Sequence, residues 1–245
     1  MEKLKRSKVK TFVYVVIIVA VVFCGNWLYK GRRVHFEDDM MRQVICLELG
    51  KDKDSQDVTY RDLDSIEELK IGPVGNFETI EDVAKCKNLK KLWVNVEITE
   101  NVAYYEVFEK KENGTIYYPP VSEEKLKRIQ KDLEKILKNA KLIEDFGFTN
   151  VNKSLNIENI GFLKYGKNLK VLNISYANIE DYSVLKNCRK LEEIELWKDN
   201  IEKADVLLKL ENIKKIWITG TPLAQNQEEI AKLKIAFPEA EIIVD

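Results

Sequence analysis

The sequence predicts an α/β solenoid: short parallel strands joined by irregular return segments, helical caps at both ends and one apolar N-terminal helix. Three observations predict it. First, Leu169-Lys-Val-Leu172-Asn-Ile174, Leu191-Glu-Glu-Ile194-Glu-Leu196 and Ile213-Lys-Lys-Ile216-Trp-Ile218 start 22 residues apart. Second, Ile157-Glu-Asn-Ile160-Gly-Phe162-Leu163, Ile179-Glu-Asp-Tyr182-Ser-Val184-Leu185 and Ile201-Glu-Lys-Ala204-Asp-Val206-Leu207 repeat at the same spacing of 22. The alternating residues of the first half form a strand whose inner face is buried, and the second half returns the chain to the next strand. Such a unit covers its core only against a neighbour. Third, Thr11–Tyr29 contains no charged residue.

The chain opens on a basic segment, residues 1–10, with Lys3, Lys5, Arg6, Lys8 and Lys10 against Glu2. Residues 11–29 follow as an apolar helix. Nineteen residues rise roughly 28 Å, close to the ~30 Å hydrocarbon core of a bilayer. Trp27 and Tyr29 stand where an interfacial aromatic belt would, ahead of Lys30, Arg32 and Arg33 in a juxtamembrane linker, 30–35. Residues 11–29 are expected to be a transmembrane helix, with a cleaved signal and a lipidated Cys24 as the alternatives. No Ala-x-Ala cleavage site follows the apolar run, and bulky Phe23 precedes Cys24. Five basic residues before the span and three after it place the N-terminus in the cytoplasm and the solenoid outside it.

The 245 residues carry 40 basic and 41 acidic side chains, a net charge of −1. Residues 1–33 hold eight basic residues and one acid, so the remainder keeps 32 and 40, a net −8. An acidic body excludes a generally basic nucleic-acid binder. A hydrophobic content of 45% supports a buried core.

Residues 36–65 read as a helical N-terminal cap. Phe36–Leu49 has helical periodicity and stops at Gly50, and Thr59 caps a second, short helix. The repeats occupy 66–223, with strands near 68–72, 91–95, 145–149, 171–175, 193–197 and 215–219. Between Leu89 and Ile143 the spacing is 54 residues where 22 are expected, which defines an insertion at 98–142. Its second part, 122–140, sets Leu126, Ile129, Leu133 and Ile136/Leu137 on one helical face, in place of the convex side of a repeat. Its first part holds Tyr104, Tyr105, Phe108, Tyr117 and Tyr118 before Pro119-Pro120. There Asn113-Gly114 is either a hairpin turn or the C-terminal stop of a helix from Thr99. Residues 224–245 form the C-terminal cap: a helix over Gln227–Phe237 stopped by Pro238, then a strand over Glu241–Val244.

The pattern Leu169-x-x-Leu172-x-Ile174 followed by Asn178-Ile179, renewed at Leu191 with Asn200-Ile201, resembles the leucine-rich repeat in the 22-residue form of internalin-like bacterial surface proteins. Val44-Ile-Cys-Leu-Glu-Leu-Gly-Lys51 with Val58-Thr-Tyr-Arg-Asp-Leu63 is similar to the helical N-terminal cap of such proteins. The resemblance covers roughly residues 36–245 without the insertion. It implies a leucine-rich repeat solenoid with a parallel sheet on its concave face, a bacterial source, and asparagine amides that satisfy the backbone where the chain turns inward.

No phosphate-binding loop, dinucleotide fingerprint, nucleophile elbow or His-Glu-x-x-His motif occurs, and His35 has no second histidine to share a metal. No enzyme, metal or cofactor is expected. Cys86 and Cys188 each precede a repeat-opening leucine by three residues, where Ala140, Gly166 and Leu210 stand in other repeats. They read as small buried free thiols. The pairs Glu67-Glu68, Lys90-Lys91, Glu144-Asp145, Lys170-Val171, Glu192-Glu193 and Lys214-Lys215 alternate in sign from strand to strand. That makes a ladder of ion pairs and no funnel for nucleic acid.

On the same face Trp93, Trp197 and Trp217 point outward, with Tyr176 just past the end of its strand. Exposed tryptophans are costly without a use, and solenoids bind on their concave strands. These four are the first candidate partner-binding residues, joined by Tyr104, Tyr105, Tyr117 and Tyr118 of the insertion. The competing reading buries them under lysine and glutamate stems or in the insertion's own core. The expected function is a membrane-anchored, extracytoplasmic module that holds a protein partner on its concave face, with no small-molecule substrate. Two alternatives stand: a structural or regulatory subunit of a membrane complex assembled through 11–29 and the insertion, or a carbohydrate or cell-wall binding module.

Overall fold

The computed structural model describes residues 2–96, 121–150 and 157–245, with side chains in the first helix given for Phe12 and from Tyr14 onward. Tyr104, Tyr105, Phe108, Tyr117 and Tyr118, and the turn at Asn113-Gly114, lie outside the described residues.

Seven strands form one sheet in sequence order, each parallel to the next: β1 (Glu68–Ile71), β2 (Lys91–Asn95), β3 (Asp145–Thr149), β4 (Val171–Ser175), β5 (Glu193–Glu195), β6 (Lys215–Trp217) and β7 (Glu241–Ile243). The six expected repeat strands are found where the periodicity puts them, and the C-terminal strand joins the same sheet. The register aligns Leu69, Leu92, Phe146, Leu172, Ile194 and Ile216 in one row. All six are fully buried, because alternation at period 2 sends one row inward and the next outward. A second buried row runs Ile71, Val94, Phe148 and Ile174. The returns are tight 3-10 turns at Glu81–Lys85, Gly161–Tyr165, Tyr182–Asn187 and Ala204–Lys209, which close the core with Val83, Leu163, Leu185 and Leu207.

Side-chain amides stitch consecutive repeats together. Asn88, Asn168 and Asn212 Nδ2 donate to the carbonyls of Asp64, Lys141 and Arg189 at 2.7, 2.8 and 2.8 Å. Asn200 Nδ2 reaches Ile179 O at 3.1 Å. Beside it buried Asp199 accepts Ala177 N–H at 2.8 Å, so a carboxylate shares the task that the repeat pattern assigns to asparagine. Cys46, Cys86 and Cys188 are buried free thiols. Burial pushes the thiols of Cys86 and Cys188 up to about 12.

The N-terminal cap contains α2 (Asp39–Glu48) and α3 (Tyr60–Leu63), and α3 starts in a capping box between Thr59 and Asp62. Helix α2 begins three residues after Phe36 because Asp38 is its cap, accepting Met41 N–H at 2.7 Å. The second oxygen of Asp38 accepts Glu78 N–H and Thr79 N–H. Asp82 in turn accepts the N–H groups of Glu37 and Asp38 at 2.9 and 3.1 Å. This exchange of aspartates locks the cap onto the first repeat, and burial raises the Asp38 pKa. At the other end α5 (Gln227–Ala236), capped by Asn226, offers Glu229 to Ala204 N–H at 2.7 Å.

The insertion contributes α4 (Glu123–Asn139), capped by Ser122, with Leu126, Ile129, Leu133, Ile136 and Leu137 buried. It packs on the convex side between the turns Glu81–Lys85 and Gly161–Tyr165. Asp132, buried in that contact, accepts Thr79 Oγ1–H at 2.6 Å and Ile80 N–H at 3.0 Å. Asp132→Ala leaves the buried Ile80 N–H and the half-buried Thr79 hydroxyl without their acceptor, and is expected to destabilise the fold by about 2–3 kcal/mol in chemical denaturation. A loss under about 0.5 kcal/mol would mean that the apolar face alone holds α4.

The leader requires a correction. Glu2–Lys30 is one helix, α1, but among the described residues no helix is long and apolar enough to cross a membrane. The residues read as interfacial anchors are engaged by the cap instead. Tyr29 stacks on Tyr60 at 5.0 Å, Arg61 lies 5.4 Å over the Trp27 ring, and Lys30 pairs with Asp64. This overturns the transmembrane reading of 11–29, and with it the cytoplasmic N-terminus and extracytoplasmic solenoid derived from it.

Candidate functional site

The alternation that buries one row presents its neighbours on the concave face. One outward row reads Glu68, Lys91, Asp145, Val171, Glu193, Lys215 and Glu241 across the sheet. The next reads Lys70, Trp93, Gly147, Asn173, Glu195, Trp217 and Ile243. The alternating charges pair as expected: Lys90–Glu67 at 2.8 Å, Lys170–Glu144 at 2.7 Å and Lys214–Glu192 at 2.6 Å. Lys91 lies between Glu68 and Asp145 at 3.8 and 3.4 Å. Lys214 holds the Glu192 carboxyl below its usual range. Such exposed pairs are screened by solvent and add little to stability, so the ladder balances charge across the face more than it stabilises it.

Over the second outward row lies a cavity of about 480 Å³, bordered by Trp93, Trp197, Trp217, Asn95, Asn173 and Glu195. The three tryptophans singled out by the sequence therefore meet at one place. Trp93 lies across β3: a Cβ at Gly147 would stand 2.8 Å from Trp93 Cδ2, so only glycine leaves room for the ring. Its Nε1 donates to Asp145 Oδ1 at 3.0 Å, which pins the indole as one wall. Trp217 Nε1 donates to Thr219 Oγ1 at 2.7 Å. Trp197 stays 37% exposed and takes the edge of Tyr176, with ring centroids 5.0 Å apart at 79°.

Each indole also carries a lysine: Lys91 at 5.8 Å over Trp93, Lys198 at 4.5 Å over Trp197 and Lys215 at 5.2 Å over Trp217. The competing reading, lysine stems over the aromatics, is thus realised in part. Cation–π contacts of this kind contribute ~0.5–1 kcal/mol at exposed sites, a hold that a partner can displace.

The backbone is strained where the aromatic cluster sits. Tyr176, Lys198 and Gly220, one repeat apart, have φ of 54°, 56° and 74°. A left-handed residue that is not glycine costs roughly 1–2 kcal/mol. The turn is held because Tyr176 N–H donates to Trp197 O and Lys198 N–H to Thr219 O, both at 2.9 Å. Lys198 Nζ donates to Tyr176 OH at 2.8 Å. Tyr176 and Lys198 thus keep a conformation that Gly220 adopts freely, and the hydrogen bonds of this corner hold the strain in place. Lys198 was not among the sequence-derived candidates, although its alignment with Tyr176 and Gly220 at 22 residues was the available signal. Asn173 and Glu195 are further additions that only the register brings together.

Thr149 Oγ1 donates to Asn95 Oδ1 at 2.7 Å and Ser175 Oγ to Asn150 O at 3.3 Å, so neither hydroxyl is set against a general base. Tyr104, Tyr105, Tyr117 and Tyr118 lie outside the described residues and are not placed relative to it.

No protein-family model matches the sequence, and no curated protein sequence matches it. Among solved structures the chain is similar to internalin C2 of Listeria monocytogenes, with 19% identity, 85% of this chain and 92% of that one covered, and a TM-score of 0.39. The internalin InlF of the same organism gives 14%, 85% and 88%, with a TM-score of 0.33. A leucine-rich repeat protein of Leptospira interrogans gives 14%, 74% and 50%, with a TM-score of 0.37. At such values none of them bears on the site or its occupant.

Proposed function

We propose that the chain is a non-catalytic module that binds a protein partner on the concave face of its solenoid, at the cavity walled by Trp93, Trp197 and Trp217 with Tyr176 at the rim. One observation carries this reading: three of the four tryptophans in the chain converge on one cavity on the solvent side of the sheet. Tryptophan and tyrosine dominate interface hot spots, and a cavity of this size suits inserted side chains. The tyrosines of the insertion are proposed as a second contact of the same partner.

The test uses the full chain as bait in extracts of the organism that makes it. The double variant Trp197→Ala, Trp217→Ala is expected to weaken capture about 30-fold or more, as loss of one hot spot of ~2 kcal/mol requires. Neither indole is part of the buried core, so stability should change by no more than about 1 kcal/mol. Undiminished capture would sink the site assignment. A carbohydrate occupant is the second reading, favoured by the same indoles beside Asn95 and Asn173. Binding to a glycan array that falls with the double variant would put it first.

A further inference from the structure

We infer that the concave cavity recognises an arginine side chain of the partner, its guanidinium seated on Asn173 and Glu195 between the indoles of Trp93 and Trp217. The inference rests on the protein-binding reading above and adds the chemistry of what is bound. Asn173 and Glu195 are register partners on β4 and β5. Asn173 Nδ2 donates to Glu195 Oε2, while Asn173 Oδ1 is buried with no hydrogen-bond donor among the described residues. Turning the amide over would set its oxygen against the carboxylate, so the charge of Glu195 fixes the orientation. The other Glu195 oxygen has Lys215 Nζ at 3.4 Å, at the long end of a hydrogen bond. The floor therefore holds one buried acceptor without a donor, Asn173 Oδ1, next to a carboxylate whose second oxygen is held only at 3.4 Å, and a buried acceptor without a donor is costly.

The walls select the sign of the guest. Trp93 lies over Gly147, the register neighbour of Asn173, and Trp217 is the register neighbour of Glu195, so an indole flanks the floor on each side. Indole faces attract cations, and these two already hold Lys91 and Lys215 at 5.8 and 5.2 Å. A carboxylate would meet Glu195 and the orphaned oxygen, and an aliphatic guest would leave both acceptors buried. A guanidinium answers both with N–H groups in one plane and stacks its face on tryptophan. The resident cations do not exclude it. Lys91 is shared by Glu68 and Asp145, and a displaced Lys215 keeps Glu193 and Glu241 as register neighbours.

The test titrates the full chain with Nα-acetyl-arginine amide, its lysine, citrulline and glutamate counterparts, and a methyl glycoside, following the indole N–H signals by NMR. The arginine compound is expected to shift the Trp93 and Trp217 signals. Citrulline, of the same shape without the charge, should bind at least about tenfold more weakly, and Glu195→Gln or Asn173→Ala should weaken arginine binding by about the same factor. Glu195→Gln keeps the side chain's shape, so its thermal unfolding should match that of the unmodified chain. Citrulline or glutamate binding as well as arginine, or arginine shifts that persist in Glu195→Gln, would overturn the inference. So would a glycoside that shifts these signals where arginine does not. If arginine fails while Trp197→Ala, Trp217→Ala still abolishes capture, this inference falls and the protein-binding reading stands. If capture also ignores the double variant, both fall.

Discussion

Gly72→Ala is expected to destabilise the chain by roughly 3–5 kcal/mol, the sum of a strained backbone and an overpacked contact. Gly72 has φ of 131°, outside the range that side-chain-bearing residues adopt. A Cβ there would stand 2.4 Å from the carbonyl oxygen of Asn95 and 2.8 Å from its Cβ. Those atoms belong to the end of β2 and cannot rotate away as a flexible side chain would. Alanine must therefore push two strand ends apart at the rim of the cavity. Chemical denaturation measures the effect, and a loss below about 1 kcal/mol would mean that the strand end yields easily. Asn95 would move with it, loosening the bond from Thr149 Oγ1 at 2.7 Å.

Gly147→Ala acts on the site more than on the core. The added methyl meets the Trp93 ring at 2.8 Å, so the indole has to lift off β3 and give up its hydrogen bond to Asp145. The expected cost is about 1–3 kcal/mol of stability, the range for a forced repacking. Partner capture is expected to fall about tenfold or more, because a wall of the cavity has swung away. Combining Gly147→Ala with Trp93→Ala removes the clash, so the double variant should recover stability without recovering capture. That non-additivity is the signature of two residues in direct contact. Strictly additive losses would show that Gly147 matters for some reason other than room for the ring.

Both glycines show where sequence reading ends. The strands, the caps and α4 are legible because each follows from a pattern inside one segment: alternation at Leu172 and Ile174, a cap at Thr59, a helical stripe from Leu126 to Leu137. The outward direction of Trp93, Trp197 and Trp217 follows from the same alternation. That Trp93 rests on Gly147 does not, because the two lie in neighbouring strands separated by the insertion, and only the register joins them. Asn173 beside Glu195 is hidden for the same reason. The leader fails differently. Absence of charge over Thr11–Tyr29 is a local property, whereas the contacts of Trp27, Tyr29 and Lys30 with Arg61, Tyr60 and Asp64 are long-range. The strained conformations of Tyr176 and Lys198 were open to inference only from the glycine that aligns with them at Gly220.

The concave face as the partner surface is tested most directly by a photo-crosslinking amino acid at Val171 of the full chain, on the outward row beside the cavity but not one of its walls. The comparison is the same residue at Lys138, exposed on convex helix α4. Both variants are irradiated in the organism that makes the protein. The expected result is a discrete crosslinked protein from position 171 that is missing from position 138. Crosslinking from 138 alone, or equally from both, would contradict a concave-face interface.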